Sequence, residues 1–206
     1  MNRLYVLGDS ISIHYGPFLQ RYLQGVMVYS RKGMEAGVEA NADNYDANGG
    51  DSSMVMSFLQ DRARAGGIAA DVLLLNCGLH DVKTTPATGA KQVSLDAYRA
   101  NLERIVAIVR EMGPKLVWVR TTPADEKVHN AHMAAFHRFA ADVVAYNAAA
   151  DAVMSGAGVP MIDLHKFTMD QGGELFCDHI HFVEPVRQKQ AAFIAGWLVG
   201  LGVASR

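Results

Sequence analysis

A serine and an acid–base pair lie near opposite ends of the sequence. Ser10 stands in Gly8-Asp9-Ser10, directly after a short apolar run, and Asp178 and His181 stand in residues 177–182, Cys-Asp-His-Ile-His-Phe. A serine hydroxyl becomes a nucleophile when a base takes its proton, and that base needs an acid to hold its tautomer. Asp178 and His181, three residues apart, can supply both. We therefore predict Ser10, Asp178 and His181 as the catalytic set.

Each of these motifs has a simpler interpretation. Gly-Asp-Ser alone is a weak signal, because serine is an ordinary helix N-cap. Asp178, His179 and His181 could also form a metal site, but such a site would want further well-spaced ligands. We therefore expect neither a metal nor another cofactor. His129, His132 and His137 have helical spacing, and a solvated helix end explains them better than a metal pair does.

Short apolar runs alternate with longer amphipathic segments. The predicted strands are 4–7, 26–29, 72–76, 116–119 and 159–162, and the predicted helices are 11–23, 52–64, 95–112, 130–155 and 184–201, with a long loop over 30–50. This alternation predicts an α/β fold in which helices cover both faces of a parallel sheet. In such sheets the ligand site lies at the carboxyl ends of the strands. Ser10, His80 and Asp81 each follow a predicted strand closely, so they should lie near one another.

Composition narrows the class of protein. The chain has 206 residues, half of them hydrophobic, which suits a single domain over 1–206. Its formal charge of −2 and the lack of a basic stripe disfavour nucleic acid as a partner. No apolar run approaches the roughly 20 residues of a membrane span. The N-terminus lacks the pattern of a secretory signal, so we expect a cytoplasmic protein. Cys77 and Cys177 are expected to be reduced thiols.

Taken together, the motifs resemble the four sequence blocks of the SGNH superfamily, the GDSL esterases and lipases. The blocks are matched by Gly8-Asp9-Ser10, by residues 48–52 (Asn-Gly-Gly-Asp-Ser), by residues 78–81 (Gly-Leu-His-Asp), and by Asp178 with His181. The resemblance spans nearly the whole chain. It implies a three-layer, flavodoxin-like fold with five parallel strands in the order 2-1-3-4-5, and ester hydrolysis without a metal.

The resemblance also implies a role for each matching residue. Ser10 would be the nucleophile, His181 the general base and then the general acid, and Asp178 the residue that orients His181. The backbone N–H groups of Ser10 and Gly50 would hold the oxyanion, with Gly49 as the alternative to Gly50. His80 departs from the family pattern, which has asparagine there as a third donor. An imidazole N–H could donate in its place if its tautomer is fixed, or His80 could only pack.

Three aspartates in these blocks call for a different interpretation. Asp9, Asp51 and Asp81 are expected to accept hydrogen bonds that fix loops, rather than to act in catalysis.

The predicted activity is hydrolysis of a carboxylic ester through an acyl-Ser10 intermediate. A short chain without an obvious lid, and the resemblance to carbohydrate esterases that also carry Gly-Leu-His-Asp, favour short acyl groups such as acetyl, on a carbohydrate. The expected partner is therefore a small-molecule ester. The alternatives are a lysophospholipase or thioesterase, an acyltransferase, and a non-catalytic binding module on the same fold.

Overall fold

The predicted parallel sheet and its strand order are confirmed. A computed structural model describes residues 1–34 and 46–200. Its five strands are β1 (Asn2–Leu7), β2 (Met27–Arg31), β3 (Val72–Leu75), β4 (Lys115–Val119) and β5 (Met161–Ile162). They form one sheet in the order β2-β1-β3-β4-β5, and every neighbouring pair is parallel. All carboxyl ends therefore meet at one edge of the sheet, where the predicted catalytic residues belong.

Seven helices are described, and they cover both faces of the sheet. They are α1 (Ser10–Tyr22), α2 (Ser52–Arg64), α3 (Leu95–Met112), α4 (Glu126–His132), α5 (Ala140–Gly156), α6 (Leu164–Met169) and α7 (Glu184–Gly200). Helix α7 packs against α1 and α6, while α3 packs against α2 and α5. All four residues of β3 are buried, as expected for a central strand covered on both faces.

Capping residues fix where the helices next to the sheet edge begin. Asp9 caps α1 by accepting the Ile11 N–H, and Asp51 caps α2 by accepting the N–H groups of Ser53 and Met54. Each cap satisfies N–H groups that have no acceptor within the helix. Both aspartates therefore accept hydrogen bonds, as predicted, and the groups that they hold are the first turns of two helices.

The predicted helix over 130–155 is wrong, because the structure has two shorter helices there. Helix α4 ends at His132 and α5 begins at Ala140, with the backbone of Phe139 extended between them. Two sets of tertiary hydrogen bonds compete with the helical hydrogen bonds of this segment and explain the break. Thr84 and His137 exchange backbone hydrogen bonds of 2.8 Å, and the Asn130 side chain bonds both the N–H and the carbonyl of Arg138. These tertiary contacts outweigh the helix propensity of the alanine-rich sequence.

Two smaller differences concern β2 and α6. Strand β2 continues to Arg31, beyond its predicted end, and the short helix α6 lies within a segment for which the sequence predicts no helix. Most of the predicted loop over 30–50 lies outside the described residues.

Cys77 is buried and Cys177 is exposed, and both thiols are free, as predicted.

Candidate active site

Ser10 lies where the first strand passes into the first helix. Only Gly8 and Asp9 separate β1 from Ser10, which is the first residue of α1. A Cβ atom on Gly8 would come within 3.0 Å of the Ser12 side chain, so this turn has little room for a larger residue. The Ser10 N–H belongs to the first turn of α1, where N–H groups have no acceptor within the helix and the helix dipole favours negative charge.

The structure brings Ser10, His181 and Asp178 together in one hydrogen-bonded chain. His181 Nε2 lies 2.9 Å from Ser10 Oγ, and His181 Nδ1 lies 2.7 Å from Asp178 Oδ2. The carboxylate can only accept, so His181 Nδ1 carries a proton and Nε2 is left to accept the proton of the serine hydroxyl. This is the order of contacts that a serine nucleophile, its base and the orienting acid require.

Backbone contacts hold Asp178 ionised and in place. Its Oδ1 accepts the N–H groups of Ile180 and His181, each at 2.7 Å. Partial burial alone would raise the pKa of Asp178, but these two hydrogen bonds and the His181 ring lower it to about 2. The loop is closed at its base by a hydrogen bond from the Cys177 N–H to the His181 carbonyl. Asp178 is therefore a carboxylate throughout the neutral pH range.

Two glycines of the second block lie beside Ser10. The Gly49 N–H donates to the Gly8 carbonyl at 2.9 Å, which ties this loop to the loop that carries the serine. The Gly50 N–H donates to Asn48 Oδ1 at 2.9 Å, and Gly50 has φ +73°, a conformation that favours glycine. The Gly50 N–H can therefore donate to an oxyanion only if its hydrogen bond to the Asn48 side chain is shared or broken. Sequence reasoning passed over Asn48, whose side chain lines the cavity at this point.

His80 follows β3 and lines the same cavity as Ser10. Burial lowers its pKa to about 3, and the charges of Lys83 and Arg138 act in the same direction. The ring is therefore neutral near pH 7 and has one N–H to donate. It makes no hydrogen bond to any residue among those the structure describes, so that N–H is available to a ligand.

Asp81 links the second and third blocks. Its Oδ1 accepts the Ser52 N–H at 2.9 Å, and its side chain is fully buried. Gly78, three residues earlier, has φ +150°, and a Cβ atom there would overlap the Thr121 side chain. The prediction that Asp81 fixes a loop is confirmed, and the loop that it fixes carries His80.

A cavity of about 350 Å³ joins these elements. Besides Ser10, His80 and His181, its walls include Lys83, Phe136, Arg138 and His179. Three of these four were not singled out in the sequence. Arg138 falls within the segment that the sequence predicts as helix, and Lys83 falls in a predicted loop. A single sequence carries no periodic or motif signal that would bring the two together.

The histidines of this segment differ from the prediction in two respects, one of which is that His137 lies between α4 and α5 and not on a helix. His132 is exposed, as expected for a solvated helix end, but His129 is fully buried. The His129 ring packs against Phe136 and lies 2.7 Å from His179, Nδ1 to Nδ1. His129 is buried because the break after α4 folds residues 136–138 over it. No group of three or more possible metal ligands is found within residues 1–34 and 46–200.

The family model for GDSL-like lipases and acylhydrolases matches residues 6–184. The chain belongs to this family. No curated protein matches it in sequence.

Solved structures share the fold of this GDSL-like protein at low sequence identity. A lipase/acylhydrolase from Enterococcus faecalis is 17% identical, with 98% of this chain and 97% of that chain covered and a TM-score of 0.72. An acetyl xylan esterase, AlAXEase, is 14% identical over 95% and 99%, with a TM-score of 0.68. A carbohydrate acetylesterase from Sinorhizobium meliloti is 13% identical over 98% and 100%, also with a TM-score of 0.68.

Membership of this family supports the interpretation that the protein is a hydrolase.

Within the described part of this GDSL-like chain, no helix has the length and apolar character needed to cross a membrane.

Proposed function

We propose that the protein is a serine esterase that hydrolyses acetyl esters of carbohydrates through an acyl-Ser10 intermediate. The observation that carries this proposal is the chain of contacts from Ser10 Oγ to His181 Nε2 and from His181 Nδ1 to Asp178 Oδ2, at 2.9 and 2.7 Å. A hydroxyl within hydrogen-bond distance of an oriented imidazole is the arrangement of an activated nucleophile.

The reaction would proceed in two halves. Ser10 Oγ attacks the ester carbonyl carbon while His181 Nε2 takes the hydroxyl proton, and His181 then gives that proton to the departing alcohol. Water attacks the acyl-serine, its proton passes to His181, and collapse of the tetrahedral intermediate breaks the bond to Ser10 and returns the proton to Oγ. Each half passes through an imidazolium that the ionised Asp178 stabilises.

Both halves also place negative charge on the carbonyl oxygen. The proposed donors to this oxygen are the Ser10 N–H, the Gly50 N–H and the ring N–H of His80. Donors fixed before reaction stabilise the charge without having to reorganise. The backbone N–H of Ser10 and the ring N–H of His80 are available in this structure. The Gly50 N–H becomes available only when its hydrogen bond to the Asn48 side chain is shared or broken.

Two observations support short acyl groups on carbohydrate. The cavity beside Ser10 is only about 350 Å³, at the small end of the range for ligand sites. Structural neighbours include an acetyl xylan esterase and a carbohydrate acetylesterase. A lysophospholipase or thioesterase of the same family would need room for a longer chain.

The test combines one variant with a panel of substrates. Ser10→Ala should reduce ester hydrolysis by on the order of 10⁶ in turnover, because it removes the nucleophile. A fluorophosphonate probe should label Ser10 in the wild type, as read by peptide mass. The panel of 4-nitrophenyl esters should favour acetate over longer acyl groups, and acetylated sugars should release acetate. Near wild-type activity of Ser10→Ala would overturn the mechanism.

The same panel separates the alternatives. An acyltransferase would pass the acetyl group to an added sugar faster than to water. A binding module would bind the sugar without releasing acetate. A preference for long acyl chains or thioesters would favour the lysophospholipase or thioesterase.

A further inference from the structure

Two cations share one wall of the catalytic cavity. The Arg138 guanidinium and the Lys83 ammonium both lie over the Phe136 ring, 4.9 and 4.7 Å from its centroid. Arg138 is only 5% exposed, and Lys83 is half-buried. Among the ion pairs formed by residues 1–34 and 46–200, none involves either side chain. Two charges are thus held beside one ring, one of them almost fully buried and the other half-buried, without an ion-pair partner in the described protein.

Arg138 is held in place by neutral groups. Its Nε donates to the Leu79 carbonyl at 2.7 Å, and its Nη1 makes a longer contact of 3.4 Å with His129 Nε2. Its Nη2 has no hydrogen-bond partner among the described residues. A largely buried guanidinium is costly unless an anion compensates it. The neutral contacts position the group, but they leave its charge and one donor nitrogen without a partner among the described residues, and Arg138 lines the cavity.

The contacts of Arg138 also fix the tautomers of two histidines. A guanidinium can only donate, so His129 Nε2 must accept, and His129 must carry its proton on Nδ1. His129 Nδ1 lies 2.7 Å from His179 Nδ1, so the His179 Nδ1 accepts. Burial lowers the pKa of both rings, to about 4 for His129, so both are neutral near pH 7. His179 therefore has its proton on Nε2, so Lys83, Arg138 and His179, which all line the cavity, can each donate a hydrogen bond.

One carboxyl group also lines the cavity. Asp9 caps α1 with one oxygen, and burial raises its pKa. Its single charge does not offset both Lys83 and Arg138. The residues that line the cavity thus carry two cations against one carboxyl group, and the charge of Asp51 also acts on Lys83. Hydrogen-bond donors predominate on the wall formed by Lys83, Arg138 and His179.

We propose that Arg138, Lys83 and His179 bind a carboxylate of the substrate. This inference rests on the esterase function proposed above. Because the proposed acyl group is acetyl, the carboxylate belongs to the alcohol half of the ester. The substrate class is then an acetyl ester of an acidic alcohol, such as an acetylated uronic acid. A planar guanidinium suits a planar carboxylate, and a neighbouring ammonium adds charge without a directional requirement.

The test compares two acetyl esters that differ in charge. These are 4-acetoxybenzoate and 4-acetoxybenzamide, which have similar size and the same acyl group. The amide withdraws electrons more strongly and makes the better leaving group, so intrinsic reactivity favours the neutral ester. We expect kcat/KM to be at least about tenfold higher for the carboxylate, since hydrogen bonds to charged groups are the strong ones. O-Acetylated glucuronic acid should likewise be preferred to O-acetylated glucose.

Two variants test whether the preference for the charged ester arises from the wall formed by Lys83, Arg138 and His179. Lys83→Gln and Arg138→Gln should each lower the ratio of kcat/KM for the charged ester over the neutral ester by about tenfold. Lys115→Gln removes the same charge at an exposed position on the first residue of β4, at the opposite edge of the sheet, and should not change the ratio. Lys83 is half-buried rather than fully buried, so its variant keeps the test decisive if Arg138→Gln fails to fold.

Failure of this inference can be told apart from failure of the esterase function. If the wild type hydrolyses both esters but prefers the benzamide, the carboxylate site is refuted and the esterase stands. If the preference for the carboxylate survives in both variants, another part of the cavity causes it and the assignment is wrong. If neither these esters nor the 4-nitrophenyl panel is hydrolysed, the proposed function fails and this inference fails with it.

Discussion

A histidine that stays neutral in the folded protein must reduce stability as the pH falls. Burial, with Lys83 and Arg138 nearby, lowers the pKa of His80 from 6.5 to about 3. Between these two values the unfolded chain binds a proton at this position and the folded protein does not. Stability therefore rises with pH across this window and is lost as the pH falls below 6.5. Replacing His80 with asparagine should remove this contribution.

The size of the effect follows from the two pKa values. At pH 5 the unfolded state gains about 2 kcal/mol from protonation of this one side chain, whereas at pH 8 it gains almost nothing. When the pH falls from 8 to 5, the unfolding free energy of His80→Asn should therefore rise by about 2 kcal/mol relative to that of the wild type. Other titrating groups are present in both proteins, so most of their contribution cancels in this comparison.

Urea unfolding at the two pH values measures the effect, through midpoints and slopes. His132→Asn, at an exposed position on α4, is the control for removing a histidine. A shift smaller than about 0.5 kcal/mol for His80→Asn would refute the reasoning, because the folded protein would then take up the proton too. The ring would then be cationic at pH 5, and it would be a neutral donor with a single N–H only at neutral and alkaline pH.

Three further predictions concern activity. Asp178→Asn should lower turnover by about 10⁴, because the His181 tautomer is no longer fixed; steady-state kinetics and an unchanged thermal melt test this. His80→Ala should lower turnover by about 10²–10³ with little change in KM, and His80→Asn should recover much of this loss. His80→Phe should not, and equal kinetics for the Asn and Phe variants would make His80 a packing residue. Incubation with EDTA should leave hydrolysis unchanged, whereas a loss that zinc restores would favour a metal site at Asp178, His179 and His181.

The strands and the loops that follow them could be predicted because local sequence determines both. Apolar runs predict β1 and β3, and Gly8 and Asp9 fix the turn that leads to Ser10 within a few residues. The link from Ser10 to His181 spans 171 residues, and no local pattern predicts it. It could be expected only because short motifs occur together in the order that the family uses.

The wall formed by Lys83, Arg138 and His179 could not be predicted, because it depends on a break in a helix. Alanine-rich residues 130–155 favour a continuous helix, and only tertiary contacts stop it. The backbone exchange between Thr84 and His137 and the bonds from Asn130 to Arg138 appear once distant segments have met. Local propensity is a weak guide where such contacts decide the outcome.

The same break connects substrate recognition to the catalytic loops. Arg138 reaches the cavity because residues 133–139 leave the helix, and its Nε then bonds the carbonyl of Leu79, the residue before His80. Asp81, the residue after His80, bonds the Ser52 N–H at the start of α2. The loop that carries His80 is thus held on one side by the proposed carboxylate-binding arginine and on the other by the loop that carries Gly50. A change at Arg138 should therefore alter turnover of neutral esters as well as charge preference, which is why the ratio of the two substrates isolates recognition.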